Sequence, residues 1–126
     1  MRLELTKAEE KVMRILWSLK RGLIRDVVSN YEDPKPAYTT VATIIKILEK
    51  KGFIGRKPIA NTHEYYPLIE QSEYSRGMVK SLVRKYFSNS YKRMVSALTN
   101  DEQLSTEELE ELITHLQENL EQKKKK

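Results

Sequence analysis

The sequence predicts a mainly α-helical chain with one small β-hairpin, in which three short helices precede the hairpin and further helices follow it. Three observations support this fold class. Apolar residues recur at helical spacing in three successive segments before residue 52, that spacing is absent from residues 53–68, and it returns after residue 70. A chain of 126 residues has room for one domain, or for a small domain with an appendage.

The first helix is predicted from Thr6 to Lys20. Thr6 and Glu9 have the spacing of a capping box, in which each side chain bonds a free backbone N–H group at the start of the helix. Gly22 is expected to end this segment. Residues spaced by three and four predict one buried face, formed by Ala8, Val12, Ile15, Leu16 and Leu19.

The next two helices complete a helix-turn-helix unit. A short apolar pattern predicts a second helix over residues 23–31, and the prolines at positions 34 and 36 end it. A third helix is predicted from Ala37 to Lys51, with a buried stripe and Gly52 as its C-terminal cap. Residues 53–68 read as two extended segments around a turn. A hairpin directly after such a unit makes a winged helix, so residues 1–70 are predicted to form a winged-helix domain.

Beyond residue 70 the chain is predicted to be helical to residue 122, followed by a disordered lysine tail at residues 123–126. The pattern is interrupted at residues 88–90 and 99–103, and a second capping box at residues 105–108 opens the last helix. Because the winged helix consumes its own core, these apolar faces need another surface, and we predict a homodimer. The alternative is a C-terminal helix folded back on its own winged helix. The predicted dimerisation residues are Val79, Leu82, Val83, Phe87, Val95, Leu98, Leu109, Leu112, Ile113 and Leu116.

The charge distribution indicates a polyanionic partner. The net charge is +4 over residues 1–70, +5 over residues 71–100 and −4 over residues 101–126. A basic body favours contact with a polyanion, and an acidic end favours a separate role for the last helix. The alternative is an ordinary solvated surface, since a net charge of this size also serves solubility.

The exposed side of the third helix is the candidate DNA-binding surface. Threonine is a poor residue for an exposed helix, but its hydroxyl and methyl groups can approach DNA closely. Lysines near the helix end, Lys51 among them, suit phosphate, and cations of the wing would contact the flanking phosphates or the minor groove. The alternatives are threonines that merely cap and pack, and a wing that is a solvated loop. The predicted DNA-binding residues are Lys7, Tyr38, Thr39, Thr40, Thr43, Lys46, Lys50, Arg56 and Lys57.

Several function classes are excluded by what the sequence lacks. Without cysteine there is no disulfide, no thiolate zinc site and no cysteine nucleophile. His63 and His115 fall on different predicted modules, and no glycine-rich phosphate loop or convergent polar site is present. The sequence therefore predicts a protein that is not an enzyme and binds no metal or cofactor. No apolar run is long enough for a membrane span or a signal peptide, so we expect a cytoplasmic location.

Five segments in order resemble the penicillinase and methicillin-resistance repressors (BlaI/MecI type). The similarity is strong over about residues 3–70 and weaker, though consistent, through the C-terminal helices. The segments are Leu5-Thr6-Lys7-Ala8-Glu9, Val12-Met13-Arg14-Ile15-Leu16-Trp17, Tyr38-Thr39-Thr40-Val41-Ala42-Thr43, Leu48-Glu49-Lys50-Lys51-Gly52-Phe53 and His63-Glu64-Tyr65-Tyr66-Pro67.

This resemblance implies a homodimeric repressor that binds an inverted-repeat operator of double-stranded DNA in a resistance operon. It also implies a membrane sensor metalloprotease as partner, whose signal lifts repression by cleavage in the dimerisation region. Penicillin-responsive members are cut at an Asn-Phe bond, and the nearest register here places Ala97 and Leu98 at that point. Copper-responsive members use C-terminal cysteines, which this chain lacks.

Two other functions compete with the sequence-specific repressor. A winged helix can serve as a protein-interaction adaptor, but such domains often lack cations on the third helix and wing. Lys46, Lys50, Lys51, Arg56 and Lys57 therefore favour DNA. The second alternative is a nonspecific architectural DNA-binding protein, which a specificity ratio would distinguish from a repressor.

Overall fold

The computed structural model describes residues 4–125, which divide between Val79 and Lys80 into two compact units. The fold is mostly helical with one two-stranded antiparallel sheet, which confirms the predicted fold class. The elements in chain order are α1 (Lys7–Leu19), α2 (Ile24–Ser29), α3 (Tyr38–Lys50), β1 (Ile54–Ile59), β2 (Thr62–Pro67), α4 (Gln71–Tyr86), α5 (Tyr91–Thr99) and α6 (Thr106–Lys124).

Local sequence signals fix both ends of α1. The predicted capping box is present, with Thr6 Oγ1 accepting from Glu9 N at 3.1 Å and Glu9 Oε1 accepting from Thr6 N at 2.9 Å. The helix ends at Leu19 because Lys20 adopts a positive φ of 72°. Gly22, expected to end the helix, instead pairs with Tyr65 through two backbone hydrogen bonds of 2.8 and 2.9 Å. The loop after α1 is thereby joined to the wing.

The core of the N-terminal unit lies between α1, α3 and the wing. Its largest fully buried side chains include Phe53, Met13 and Leu16, packed with Ile45 and Leu48 of α3. One part of the predicted buried face of α1 is wrong, because Ala8 is exposed and its neighbour Glu9 is buried.

The turn after α3 matches the prediction of a glycine cap. Gly52 has a φ of 84°, and the N–H of the following residue, Phe53, bonds Leu48 O at 3.0 Å. This geometry turns the chain directly from α3 into β1. The wing pairs Ile54 with Pro67 at one end and Ile59 with Thr62 at the other.

The first turns of α4 belong to the N-terminal unit. Tyr74 is buried, and its ring centroid lies 5.6 Å from that of Trp17 and 6.2 Å from that of Phe53. Burial and the Glu10 carboxylate, which accepts from Tyr74 Oη at 3.2 Å, raise the pKa of Tyr74. The predicted boundary after residue 70 falls at the start of α4, whereas the two units divide within that helix.

The C-terminal unit contains the last part of α4 and the whole of α5 and α6. The predicted interruption between the first two helices is a turn in which Ser88 and Asn89 adopt positive φ. Only half of the second capping box forms. Ser105 Oγ accepts from Glu108 N, but Glu108 Oε1 accepts from the Ser105 hydroxyl and not from the Ser105 backbone N–H. Helix α6 continues through Lys124, where we expected a disordered tail, because lysine forms helices well and favours a helix C-terminus. Lys126 lies outside the described residues.

Candidate nucleic-acid interface

Helix α3 has one buried and one exposed side. Val41, Ile45 and Leu48 enter the core. The residues predicted to contact DNA are all exposed, with 54% of Tyr38 accessible. The exposed set consists of Tyr38, Thr39, Thr40, Thr43, Lys46 and Lys50. This exposed side of α3, which we call the α3 face, is therefore mainly polar and cationic.

The N-terminal end of α3 leaves backbone donors available. Ala37 occupies the N-cap position and supplies no side-chain cap, while its carbonyl accepts from Thr40 N and Val41 N. The first turn of a helix carries free N–H groups and a positive partial charge, which suit an anion. Thr43 Oγ1 donates to Thr39 O at 3.0 Å, so the Thr43 hydroxyl offers acceptor capacity and a methyl group outward from this bond.

Ile47 belongs to the α3 face and was missed by the sequence reasoning. Its side chain is 41% exposed. It follows Thr43 by four residues and precedes Lys50 by three, so the three side chains lie on one side of the helix. That spacing was the available signal. An isoleucine between the buried residues Ile45 and Leu48 nevertheless resembles a core residue in the sequence.

The two cations of the wing lie on opposite faces of the hairpin. Successive strand residues alternate, and Arg56 is opposite the buried Tyr65 while Lys57 is opposite Glu64. Arg56 Nε lies 3.4 Å from Glu49 Oε2 of α3. Lys57 Nζ lies 3.6 Å from Glu64 Oε1, within the hairpin itself. The sequence prediction treated these two residues as equivalent, and their surroundings differ.

The Lys57 face of the wing borders a cleft of about 910 Å³. Trp17, Lys20, Arg21, Glu64 and Tyr66 are among the residues that line it. Charges of both signs are present, so this cleft does not form a uniformly cationic surface.

Lys51 is committed to a contact within the protein. Its ammonium lies 2.7 and 2.9 Å from the two carboxylate oxygens of Glu9, which is only 5% exposed. Burial alone would raise the pKa of Glu9, but Lys51 and the N–H and hydroxyl of Thr6 together hold that pKa below its ordinary value. The expectation that Lys51 would face phosphate is therefore replaced by a bond that ties the end of α3 to the start of α1.

Three predicted DNA-binding lysines carry charge that no partner neutralises within residues 4–125. Lys7 is exposed in the first turn of α1, and Lys46 and Lys50 are exposed on α3. Each lacks an ion pair with any described residue, in contrast to Lys51, Arg56 and Lys57. The uncompensated positive charge of α3 thus lies on the α3 face.

The predicted dimerisation residues fall into two groups. Val83 is 1% exposed and therefore buried within its own chain, while Phe87 and Leu109 are partly buried. The others are exposed apolar side chains, and Leu120, on the same stripe of α6, is exposed with them. The exposed members are Val79, Leu82, Val95, Leu98, Leu112, Ile113 and Leu116.

The residues at the predicted proteolytic position are accessible. Ala97 and Leu98 are exposed near the C-terminal end of α5, which ends at Thr99. Within residues 4–125 no group of three potential ligands is arranged to hold a metal ion. No helix in the described part of the chain is long and apolar enough to cross a bilayer.

Comparison with known proteins identifies close resemblance along nearly the whole chain. A family model described as penicillinase repressor matches residues 5–118. The methicillin resistance regulatory protein MecI of Staphylococcus aureus strain N315 is 32% identical over 110 residues, covering 86% of this chain and 89% of that protein. The penicillinase repressor of Bacillus licheniformis is 25% identical over 122 residues, covering 96% of this chain and 95% of its own.

Proposed function

Because the chain belongs to the penicillinase repressor family, we propose that it is a dimeric repressor that binds an inverted-repeat DNA operator of an antibiotic-resistance operon. The family consists of transcriptional repressors, so the prediction that the chain is not an enzyme is confirmed.

The α3 face is the observation that carries the proposal. Tyr38, Thr39 and Thr40 surround an uncapped helix N-terminus, and Lys46 and Lys50 follow on the same exposed side. A helix of this kind enters the major groove with its N-terminal residues at the base edges. Lysines further along neutralise phosphates, and Thr43 and Ile47 offer methyl groups to thymine. Occupation of the promoter then blocks transcription sterically.

Dimerisation is supported by the apolar side chains that the C-terminal unit leaves exposed. Leu112, Ile113, Leu116 and Leu120 form one stripe on α6, and between 48% and 57% of each side chain is exposed. Contiguous exposed apolar surface of this kind is typical of an interaction site. A second copy of the chain would cover it through a two-fold interface, and the same symmetry would match the two halves of a palindromic operator.

Relief of repression is proposed to occur by proteolysis between Ala97 and Leu98 in the dimerisation region. Both residues are exposed near the end of a helix, where local opening is easiest. We propose a membrane sensor metalloprotease as the partner and the cytoplasm as the location. Cleavage there would detach α6 with its apolar stripe and so weaken the dimer.

The test is a selection of operator sequences from a random duplex library with the full-length protein. We expect an inverted repeat whose half-sites are separated by one helical turn of DNA or a multiple, on the order of 34 Å per turn. Thr40→Ala and Lys46→Ala should each weaken binding to the selected duplex, and Lys46→Ala should also lower the salt slope by about one.

Lys80→Ala is the matched control for Lys46→Ala, since it removes the same charge from an exposed position of a different helix, α4. Recovery of no consensus would favour the nonspecific architectural protein, and absence of any DNA binding in dilute salt would favour the interaction adaptor. Either result would refute the proposed operator binding.

A further inference from the structure

We propose that Glu49 is a specificity-determining residue that positions Arg56, so that the wing and α3 contact one operator half-site as a unit. This inference rests on the proposed function. Glu49 is the penultimate residue of α3, and Arg56 lies in β1, beyond the turn that joins the two elements. The ion pair of 3.4 Å between them is therefore a side-chain connection from the helix proposed to read the bases to the wing proposed to contact phosphate.

The atoms in this contact leave the guanidinium able to bind an anion. The atom of Arg56 nearest the carboxylate is Nε, and no other ion pair of Arg56 is present among residues 4–125. The two terminal amino groups form the fork that binds phosphate in a bidentate manner. The Arg56 side chain is 52% exposed, so about half of its surface is open to an approaching anion. A carboxylate that fixes the Nε side of the group restricts the rotamers of a long side chain before DNA arrives.

The other wing cation provides the comparison. Lys57 pairs with Glu64, which lies directly across the hairpin on the opposite face from Arg56. That contact connects one strand of the wing with the other and makes no connection to α3. Loss of Glu64 and loss of Glu49 therefore remove the same charge and a similar ion pair, but only the second removes a side-chain contact between the wing and α3.

The proposal predicts an effect opposite in sign to simple electrostatics. Removing a negative charge near DNA should strengthen binding to any duplex. If Glu49 positions Arg56, Glu49→Ala instead weakens binding to the selected duplex by about five- to tenfold, while binding to a scrambled duplex of the same length stays within about twofold. Glu49→Gln removes the same charge but keeps a polar side chain of the same length, so it should lose less affinity than Glu49→Ala.

The experiment measures fluorescence anisotropy of the selected and scrambled duplexes with wild type, with the single variants Glu49→Ala, Glu49→Gln, Glu64→Ala and Arg56→Met, and with the double variant Glu49→Ala/Arg56→Met. Glu64→Ala should not weaken operator binding. Glu49→Ala should have no further effect in the Arg56→Met background, because Glu49 and Arg56 act as a pair.

Unchanged or stronger operator binding by Glu49→Ala would overturn the inference, as would an equal loss in the Arg56→Met background. A wild-type protein that does not prefer the selected duplex would overturn the proposed function itself. Melting curves followed by circular dichroism establish that each variant is folded.

Discussion

The N-terminal and C-terminal units use their apolar residues in different ways. In the first, α1, α3 and the wing enclose a core in which Phe53, Met13 and Leu16 are fully buried. In the second, Val83 is buried, but Leu112 and Leu116 on α6 remain about half exposed. The first unit encloses an apolar core, and the second leaves a row of large apolar side chains exposed. This difference supports the proposed role of the second unit in assembly, and four experiments test it.

The largest expected effect is a loss of folding stability on truncation of a core side chain, compared with truncation of an exposed side chain of α6. Phe53→Ala removes a fully buried ring and should lower the free energy of unfolding by about 3–5 kcal/mol, at any protein concentration. Leu120→Ala truncates an apolar side chain that is 52% exposed, so its cost should appear only at concentrations where the chain dimerises. Urea denaturation at two protein concentrations distinguishes these outcomes. A concentration-independent loss for Leu120→Ala would place that residue in a monomer core.

A charge on the exposed stripe of α6 should break assembly without unfolding the chain. Leu112→Asp would place an unpaired carboxylate in the proposed interface and should weaken the dimer by about 2–3 kcal/mol. Sedimentation velocity measures the monomer fraction, and operator affinity should fall with it. Glu111→Asp, at the neighbouring exposed position, is the control that keeps the charge of α6. An unchanged sedimenting species would contradict this interface.

The ion pair between the buried Glu9 and the exposed Lys51 should make the N-terminal unit sensitive to acid. The pKa of Glu9 is lowered in the folded chain, so its contribution to stability is present above its ordinary value of 4.5 and is lost as pH falls through the lower folded value. Glu9→Gln should cost about 1–2 kcal/mol at neutral pH and little in acid. Urea unfolding at pH 7 and pH 3 measures both. An equal cost at the two pH values would mean that the charge of Glu9 contributes nothing.

The smallest expected effect tests whether Ile47 belongs to the exposed or the enclosed part of α3. Ile47→Ala should leave stability nearly unchanged, since the side chain is 41% exposed, and should weaken operator binding by about threefold through lost methyl contacts. Ile47→Val keeps both γ carbons and should lose less. A stability loss as large as that of a core truncation would show that Ile47 packs inside the unit.

Local signals in the sequence predicted much of the fold. The capping box at Thr6 and Glu9, the glycine after α3 and the period change at the wing each depend on neighbouring residues, and the structure contains all three. Contacts between distant segments were not predictable in this way. The burial of Glu9 depends on Lys51, 42 positions along the chain, and helical periodicity therefore favoured Ala8 instead.

The features of the site that the sequence did not predict also depend on contacts between segments. The α3 face follows from helical spacing, so its threonines and lysines were predicted together. The separation of Arg56 from Lys57 requires the register of the hairpin, and the pairing of Arg56 with Glu49 requires the turn between helix and strand. The burial of Val83 required knowledge of how its own chain packs.

Trp17 gives the molecule a built-in optical reporter. It is the sole tryptophan of the chain, its indole Nε1 donates to Ile69 O at 2.8 Å, and its ring packs beside Tyr74. All three residues belong to the N-terminal unit, so the emission maximum of the indole follows the solvation of that unit. Ellipticity at 222 nm, in contrast, sums over helices in both units. Simultaneous recording of the two signals during one denaturation would reveal whether the units melt together or in sequence, without any label.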